Sequence, residues 1–458
     1  NGMDVKAAEI TEDSLVAAED TNVGNESVDI QQQEPVEISE LETTENNDLS
    51  KSSESITVDE SIAEDILATQ ADTAVVVGTV SDYLTAKGDA KLYNINLPAG
   101  VYLQAQLTTP ANADLDYDLY LLDAEGNILT GSDYYTYING TAGTLPEALG
   151  YITSGDTATY YLYVLASEGG SVSESFTLDY SVSTACDSYE IDESVRQALA
   201  FTYGAGGAYI ESRNLSSPID NDWYVITVPS SRIYDKLKIS ATTASTNTCS
   251  VEVYQNVASE GYQMKRVGSG NTISVSSGKY YIRVSNAKTM ENFDDLDIQN
   301  YKLSITPILK ATGIVITDLK GSEGLNKVVN YPGYGAHFRT QGSGTLTVYG
   351  VLTATDSSTG VTYAVGGEQI NGLYYSPAWE ANNTSANAIR RGTGTTDSSG
   401  KFEIDISLPP GIGVYSYYGS TSTHYFDICG VSVSPSDDSS ISASETIFHL
   451  AYTMYHPF

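Results

Sequence analysis

Apolar and polar residues alternate with a period of two along most of the chain beyond about residue 71. The clearest example is 402–408, in which Phe, Ile, Ile and Leu alternate with Glu403, Asp405 and Ser407. Gly, Asn, Asp and Ser interrupt the pattern at regular intervals, as turns do between antiparallel strands. The best candidate for a helix is the short segment 194–201. The pattern therefore predicts an all-β protein built from consecutive antiparallel β-sandwiches.

The first part of the chain lacks this alternation. Residues 1–68 hold 19 acidic side chains and two lysines, and they contain no Phe, Trp or Tyr. Such a segment cannot bury enough apolar surface to offset a backbone ordering cost of about 1–2 kcal/mol per residue. We predict that residues 1–70 form a disordered acidic spacer. Because residue 1 is Asn rather than Met, we also expect a processed chain whose signal peptide has been removed.

An internal repeat divides the remaining chain. The run LYNINLPAG at 92–100 corresponds to WYVITVPSS at 223–231, and YYLYV at 160–164 corresponds to YYIRV at 280–284. A closing strand follows each YY run, which is typical of two copies of one β unit. The C-terminal part lacks these marks and is predicted to form a third unit. The predicted sandwiches are 71–184, 185–309 and 310–458.

Charge and motifs exclude several classes of function. The chain has 22 basic and 59 acidic residues, a formal net charge of −37, so we expect neither nucleic-acid binding nor attraction to anionic lipid. No run of 18 apolar residues predicts membrane insertion. None of the four histidines begins an HExxH, and Ser269 and Ser343 lie in GSG triplets without the GxSxG spacing. We therefore predict that the protein is not an enzyme.

Two acidic clusters are candidate calcium sites. Asp114, Asp116 and Asp118 share one face of a predicted strand at spacings of about 6.6 Å, where repulsion in water is only about 0.6 kcal/mol per neighbouring pair, so a solvated acidic face is the favoured interpretation. The second cluster comes from two chain regions, an opening segment and the start of the Trp223 strand. If these lie side by side, its carboxylates could converge on a structural Ca²⁺, which takes six to eight oxygens. Its members are Glu190, Asp192, Asp220 and Asp222, with Glu193 beside them.

Tyrosine is unusually abundant, with 35 copies against eight Phe. Most Tyr side chains are expected in strands, where the ring packs and the hydroxyl reaches water. Tyr in Gly- and Ser-rich loops also provides rigid contact area for a ligand, and both interpretations stay open for the loop clusters. These candidate ligand-binding residues are Tyr134, Tyr135, Tyr137, Tyr374, Tyr375, Trp379, Tyr415, Tyr417 and Tyr418.

The motifs of the first two units resemble those of the bacterial pre-peptidase C-terminal domain. In the first unit they are LPAG, DLDYDLYLLDAEGN, YYLYV and FTLDYSV, and in the second DSYEIDES, IDNDWYVITVP, VEVY, GKYYIRV and YKLSITP. The third unit, with VYGVLTATDSSTGVTY and TTDSSGKFEIDISLPPG, resembles transthyretin-like or carboxypeptidase-regulatory (Ig-like) sandwiches. These resemblances imply non-catalytic extracellular modules that bind polysaccharide or protein, some of them supported by calcium.

The expected protein is therefore a secreted or cell-surface chain whose partner is an extracellular polysaccharide or protein. Two alternatives remain: an accessory or localisation part of a secreted peptidase system, and a purely structural surface spacer. Cys186 and Cys249 lie in the same predicted unit, but their spacing does not establish a disulfide, and three buried free thiols are the simpler expectation.

Overall fold

The computed structural model describes residues 15–16, 53–55 and 75–457. Within the last range the description omits residues 113, 134, 139–140, 143–144, 185, 244–248, 258–262, 270, 294–299, 322–326, 329–335, 340–343, 383–384 and 419. Apart from two short strands, the predicted acidic spacer lies outside the described residues. Among the described residues, no helix combines the length and apolar character that a membrane crossing requires.

The first sandwich consists of a four-stranded and a five-stranded sheet. Their strand orders are β10-β5-β12-β3 and β2-β4-β11-β6-β7. Leu103, Leu119 and Leu162 are fully buried between the sheets, as the period-two pattern requires. Strands β1 to β12 are Leu15–Val16, Ser53–Ser55, Val75–Asp82, Ala90–Leu97, Tyr102–Thr108, Asp116–Leu122, Ile128–Ser132, Tyr135–Ile138, Thr141–Ala142, Glu147–Ile152, Ala158–Glu168 and Phe176–Ser183.

The second sandwich pairs a seven-stranded sheet, ordered β13-β15-β20-β17-β18-β8-β9, with a four-stranded sheet, ordered β14-β21-β16-β19. The β8–β9 hairpin comes from the first repeat and joins the second sandwich through a parallel pairing of β8 with β18. Strands β13 to β21 are Leu199–Ala200, Ala208–Asn214, Asn221–Val228, Tyr234–Thr243, Cys249–Asn256, Gln263–Ser269, Thr272–Ser274, Gly278–Asn286 and Asn300–Leu309.

The helix predicted over 194–201 does not form. Val195–Gln197 make a single 3₁₀ turn, and Leu199–Ala200 continue as strand β13 beside Tyr224 and Val225 of β15. Val195 and Leu199 are both buried, so sheet pairing and burial override the weak local helical signal.

The sequence repeat appears in the structure as equivalent strands in equivalent register. Tyr160 of β11 pairs with Ile95 of β4. At the corresponding repeat positions, Tyr280 of β20 pairs with Ile226 of β15. In each copy the YY strand also pairs on its other side with one further strand, β6 in the first copy and β17 in the second.

The third sandwich has a five-stranded sheet, β1-β26-β25-β22 with β29 on β25, and a seven-stranded sheet, β23-β24-β32-β31-β27-β28 with β30 on β31. In β29 the four apolar residues are buried and the residues between them are exposed, as the alternation predicted. Helices α1 and α2 are Pro377–Ala381 and Ser385–Ala388. Strands β22 to β32 are Gly313–Gly321, Lys327–Val328, Ala336–Arg339, Gly344–Thr355, Thr362–Ala364, Gln369–Tyr375, Ile389–Thr395, Lys401–Leu408, Tyr415–Tyr418, Ser422–Pro435 and Ala443–Tyr455.

The protein is thus all-β, with sheets that are antiparallel except for pairings of a few short strands. The chain divides into two compact units, one comprising Glu26–Ser230 and Lys236–Pro307 and the other comprising Asn1–Asn25, Ser231–Asp235 and Ile308–Phe458. Apart from the first residues of β16 and the last residues of β21, the first two sandwiches belong to one unit. The predicted boundary between residues 184 and 185 stays a prediction.

Candidate functional site

Six carboxylates of the second sandwich converge beside the start of β15. Four come from the segment that opens this sandwich, one from the residue before β15, and one from the second residue of β15. The backbone N–H of Trp223 donates to the carbonyl of Asp192 at 3.1 Å, which holds the opening segment against the start of β15. We call this group the acid cluster; it consists of Asp187, Glu190, Asp192, Glu193, Asp220 and Asp222.

Arg213 of β14 is the cation among these carboxylates. Its side chain is fully buried, and it lies 2.7 Å from Asp187 Oδ1, 2.5 Å from Asp192 Oδ2 and 3.0 Å from Asp222 Oδ1. The preceding Ser212 has φ of 65°, and the β14 register shifts between residues 210 and 213. A bulge of this kind redirects the following side chain, and here the guanidinium is turned inward.

Tyrosine hydroxyls complete the shell around Arg213. Its Nε–H donates to the Tyr224 hydroxyl at 2.8 Å, and the hydroxyls of Tyr224 and Tyr301 lie 2.6 Å apart. The Tyr301 hydroxyl in turn donates to Asp222 Oδ2. Asp192, Asp222 and Arg213 are therefore held in one buried network shielded from solvent, in which each charge has a fixed geometry.

The first sandwich contributes polar side chains to the same cluster. The Tyr102 hydroxyl of β5 lies 2.7 Å from Glu190 Oε2 and 2.6 Å from Glu193 Oε1. Gln104, on the same face of β5, donates its amide to Glu193 Oε1. The acid cluster therefore lies where the first sandwich meets the second.

Four carboxylate oxygens of the cluster are buried without a hydrogen bond. They are Glu190 Oε1, Asp192 Oδ1, Asp220 Oδ1 and Asp222 Oδ1, the last of which has only its ion-pair contact with Arg213. The ligand atoms of Glu190, Asp192 and Asp222 lie within 4.8 Å of one another, and so do those of Glu190, Glu193 and Asp220. These are oxygen donors at the spacing that a hard divalent cation such as Ca²⁺ can join, with further ligands from second carboxylate oxygens or water.

The electrostatics of the cluster demand positive charge. Burial raises the pKa of Asp192 and of Asp222 well above the usual range, although Arg213 opposes the effect. Burial also raises the pKa of Glu193 well above its usual range, and the nearby charges of Asp220 and Glu190 raise it further. The pKa of Asp220 rises to about 6, again chiefly through burial. One guanidinium cannot neutralise six carboxylates, so protons or a bound cation must supply the remainder.

The predicted convergence is present in two groups that share Glu190: its ligand atoms lie near those of Asp192 and Asp222 in one group, and near those of Glu193 and Asp220 in the other. Sequence reasoning did not foresee Arg213 or the contribution of Tyr102 and Gln104. Arg213 follows the run YIES in an ordinary edge strand, and no sequence signal marks the bulge that turns it inward.

The aspartates of the first repeat do not form the solvated row that the sequence favoured. Asp114 is exposed and precedes β6, Asp116 is half-buried, and Asp118 is buried. Asp118 Oδ2 accepts hydrogen bonds from the hydroxyls of Ser167 and Tyr120, and burial raises its pKa to about 7. The prediction that these side chains share one wet face is wrong for Asp118, because it faces neighbouring side chains of its own sheet.

Several candidate ligand-binding aromatics are not in open loops. Tyr374 is fully buried in β27, so its assignment to a ligand-binding surface is wrong. The Trp379 indole N–H donates to the Pro410 carbonyl at 2.9 Å, and the Tyr375 hydroxyl donates to Glu380. The backbone of Tyr135 and Tyr137 pairs with β18, so these residues belong to a strand, and Tyr134 lies outside the described residues.

The third tyrosine group is exposed. Tyr415, Tyr417 and Tyr418 of β30 pair with one end of β31, which pairs with the C-terminal end of β32. Tyr425 and Tyr452 stack across β31 and β32 with ring centroids 4.5 Å apart. We call the following five residues the aromatic hairpin surface, and their exposed fractions are 46–73%: Tyr415, Tyr417, Tyr418, Tyr452 and Tyr455.

The three cysteines all lie among the described residues, and none of them forms a disulfide. Cys429 is buried as expected, whereas Cys186 and Cys249 are half-buried. The expectation that Cys186 and Cys249 are not bridged is met, whereas the expectation that all three thiols are buried holds for Cys429 alone.

Comparison with known proteins gives short or weak similarities. The sequence matches no protein-family profile. It is 36% identical over 74 residues, 16% of this chain, to the uncharacterized protein YlqB of Bacillus subtilis, and the chain spans about half (46%) of the length of that relative.

Similar solved structures include a periplasmic inhibitor of g-type lysozyme, PliG, from Aeromonas hydrophila, with 13% identity and a TM-score of 0.16 over 25% of this chain and 90% of that one. The CUB1-EGF-CUB2 domains of human MASP-1/3 share 11% identity at a TM-score of 0.15, over 50% of this chain and 99% of that one. The CBM22-1–CBM22-2 tandem domain of Paenibacillus barcinonensis Xyn10C also shares 11% sequence identity, with a TM-score of 0.15. The match covers 52% of this chain and 92% of that one. Similarities at this level carry no argument about function.

Proposed function

We propose that this chain is a non-catalytic part of a secreted or cell-surface protein and that it binds a neutral polysaccharide through the aromatic hairpin surface. The observation that carries the proposal is the exposure of five tyrosines at one end of a single sheet. Large aromatic rings grouped on a solvent-exposed surface are typical of a contact surface, because rings left exposed do not contribute apolar burial to the stability of the fold.

The chemistry of this surface favours an uncharged ligand. Residues 409–426 and 446–458 contain no Asp, Glu, Lys or Arg, in a chain whose net charge is −37. Tyrosine rings present flat faces to sugar rings, and their hydroxyls can donate to or accept from sugar hydroxyls. The strand register places Tyr418 and Tyr452 on one face of the hairpin and Tyr415, Tyr417 and Tyr455 on the other. Each Tyr loses little side-chain freedom on binding, so either face suits contact with sugar rings.

The acid cluster takes a structural role in this proposal. Its carboxylates are buried, so they do not contact an external ligand. A Ca²⁺ ion held by Glu190 with Asp192 and Asp222, or by Glu190 with Glu193 and Asp220, would neutralise part of the excess charge and fix the first sandwich on the second through Tyr102. Calcium would then support the fold rather than take part in recognition.

Binding to neutral polysaccharides tests the proposal. The full chain is incubated with insoluble and soluble neutral glycans, and retention is compared between wild type, Tyr418→Ala with Tyr452→Ala, and the control Tyr83→Ala. Tyr83 is also an exposed tyrosine but lies in the first sandwich. We expect wild type and the control to bind, and the double variant to lose at least about tenfold in affinity, or about 1.4 kcal/mol.

Equal retention of the double variant and wild type would overturn the role of the aromatic hairpin surface. Failure of wild type to bind any neutral glycan, together with specific capture of an extracellular protein or a secreted peptidase, would replace the polysaccharide by a protein partner. If the wild type neither bound a glycan nor captured a protein, the chain would act as a structural spacer.

A further inference from the structure

A second polar cluster lies in the core of the third sandwich, distant in sequence from the acid cluster. Asp427 of β31 pairs directly with His449 of β32, and Cys429 is two residues further along the same face of β31. Tyr374 of β27 pairs with Val431, which also faces inward. Adjacent strands of one sheet therefore bring Asp427, Cys429, His449 and Tyr374 to one buried spot.

These side chains are closely spaced and shielded from water. Asp427, His449 and Tyr374 have no exposed surface, and Cys429 is 2% exposed. One oxygen of Asp427, the Cys429 sulfur and a ring nitrogen of His449 lie within 4.8 Å of one another. The Tyr374 hydroxyl lies 2.8 Å from His449 Nδ1 and 3.1 Å from Cys429 Sγ.

Two atoms of this cluster are buried without a hydrogen bond, namely Asp427 Oδ1 and His449 Nε2. The other atoms have partners: Asp427 Oδ2 lies 3.5 Å from the Ser376 hydroxyl and accepts from the Cys429 thiol at 3.8 Å, and His449 Nδ1 faces the Tyr374 hydroxyl. If Nδ1–H donates to the tyrosine oxygen, the tyrosine proton points to the sulfur and Nε2 keeps an unused lone pair. Leaving such acceptors buried and unsatisfied costs about 1–3 kcal/mol each.

The donor set fits one class of ligand. A thiolate, an imidazole and a carboxylate together suit a borderline divalent transition ion, whereas Ca²⁺ and Mg²⁺ prefer oxygen alone. Bonds of about 2.0–2.3 Å to zinc place tetrahedral donors some 3.3–3.8 Å apart, so donor atoms that now lie up to 4.8 Å apart have to approach one another by about 1.5 Å at most. Tyr374, bonded to both Nδ1 and the sulfur, occupies the position of an outer-shell residue that orients metal ligands.

We propose that Asp427, Cys429 and His449 form a structural zinc site in the core of the third sandwich, with a carboxylate oxygen, the cysteine sulfur and a ring nitrogen as ligand atoms and Tyr374 as a positioning residue. The site is closed to solvent, so the ion enters as the sandwich folds. This site is independent of the polysaccharide proposal and would stand if that proposal failed.

Metal loading of the full chain tests the site. The protein is unfolded with chelator present, refolded with Zn²⁺ or Co²⁺, and freed of excess ion before its metal content is measured. We expect one equivalent per chain for wild type and for the control Cys186→Ser, whose thiol is half-buried elsewhere. The Co²⁺ form should show a thiolate-to-metal charge-transfer band, and Cys429→Ser should lose that band.

X-ray absorption of the Zn²⁺-loaded wild type provides a measurement that needs no variant to fold. It should show one sulfur at about 2.3 Å together with nitrogen and oxygen ligands. Refolded wild type without stoichiometric metal, a metal shell without sulfur, or a charge-transfer band that persists in Cys429→Ser would each overturn the proposal. A Ca²⁺ control should leave no bound ion in this sandwich.

Discussion

Arg213 Nη2 lies 2.5 Å from Asp192 Oδ2, and neither side chain has any exposed surface. This ion pair joins β14 to the opening segment of the second sandwich, in a region where carboxylates outnumber cations. Burial of such a pair is costly. It is supported here by the hydrogen bond that Arg213 donates to the Tyr224 hydroxyl and by the one that Tyr301 donates to Asp222.

Replacement of Arg213 by Met should strongly destabilise the protein. The variant leaves Asp187, Asp192 and Asp222 without their shared cation, and breaking a buried pair in this way costs about 3–5 kcal/mol. Urea unfolding of both forms measures the difference. Arg266→Met is the matched control, since its ion pair with Glu252 is partly exposed and contributes about 0–1 kcal/mol. Equal decreases in the free energy of unfolding of the two variants would contradict the role of Arg213 as the shared cation of the acid cluster.

Calcium should raise the Tm of wild type, because the ion would bind the folded acid cluster and not the unfolded chain. At a free concentration of 100 times Kd, the stabilisation is about 2.7 kcal/mol. Asp220→Asn should reduce or abolish the rise, since Asp220 Oδ1 is one of the unpartnered oxygens. Asp114→Asn alters an exposed carboxylate and should behave as wild type. A Tm of wild type that calcium does not change would exclude the calcium site.

Asp118 should make the protein less stable as the pH rises from about 4 to 7. Burial, with smaller contributions from Asp116 and Asp133, raises its pKa from 3.8 to about 7 in the folded state. Between these values the folded state holds a proton that the unfolded state has lost, so the free energy of unfolding falls with pH, by at most about 1.4 kcal/mol per unit.

Asp118→Asn should flatten that part of the stability curve, measured by denaturant unfolding at several pH values. Asp156→Asn, at an exposed carboxylate, is the control and should leave the slope unchanged. A slope that is the same in Asp118→Asn and wild type would show that Asp118 does not hold the extra proton.

Tyr374→Phe should destabilise the third sandwich in the absence of metal. The variant removes the hydroxyl that bridges His449 Nδ1 and Cys429 Sγ, and the buried imidazole nitrogen loses its partner, at about 1–3 kcal/mol. Tyr415→Phe removes a hydroxyl from an exposed ring and should change the free energy of unfolding by less than about 0.5 kcal/mol. Thermal unfolding after chelator treatment compares the two, and equal effects would argue against the bridging role.

Much of the fold followed from local pattern. In β29 a strict alternation predicted which side chains enter the core, and the repeat identified β4 with β15 and β11 with β20. The prediction of a helix over 194–201 was wrong. Both Val195 and Leu199 are buried there, and the segment forms a 3₁₀ turn followed by a short strand.

The site was accessible to sequence reasoning only in part. Two acidic runs separated by some 30 residues suggested that Glu190, Asp192, Asp220 and Asp222 could meet. The same reasoning left Tyr374 as a candidate for a ligand-binding surface and favoured a solvated Asp118, and both side chains are buried. Alternation predicts burial only when one face of a strand is in solvent. In β6, where Tyr, Asp and Leu are mixed, side chains on both faces are buried, so the pattern does not show that Asp118 is buried as well.

The sequence by itself determined the all-β class, the repeated unit and the core-facing residues of its cleanest strands, because period-two burial is a local property of a strand. Only the tertiary structure decided which polar groups meet inside: Arg213 reaches the acid cluster through a bulge, and His449 faces Asp427 through the register of β31 with β32. Both depend on contacts between residues distant in the chain, and the free energy of those contacts is set by burial and geometry that no local pattern encodes.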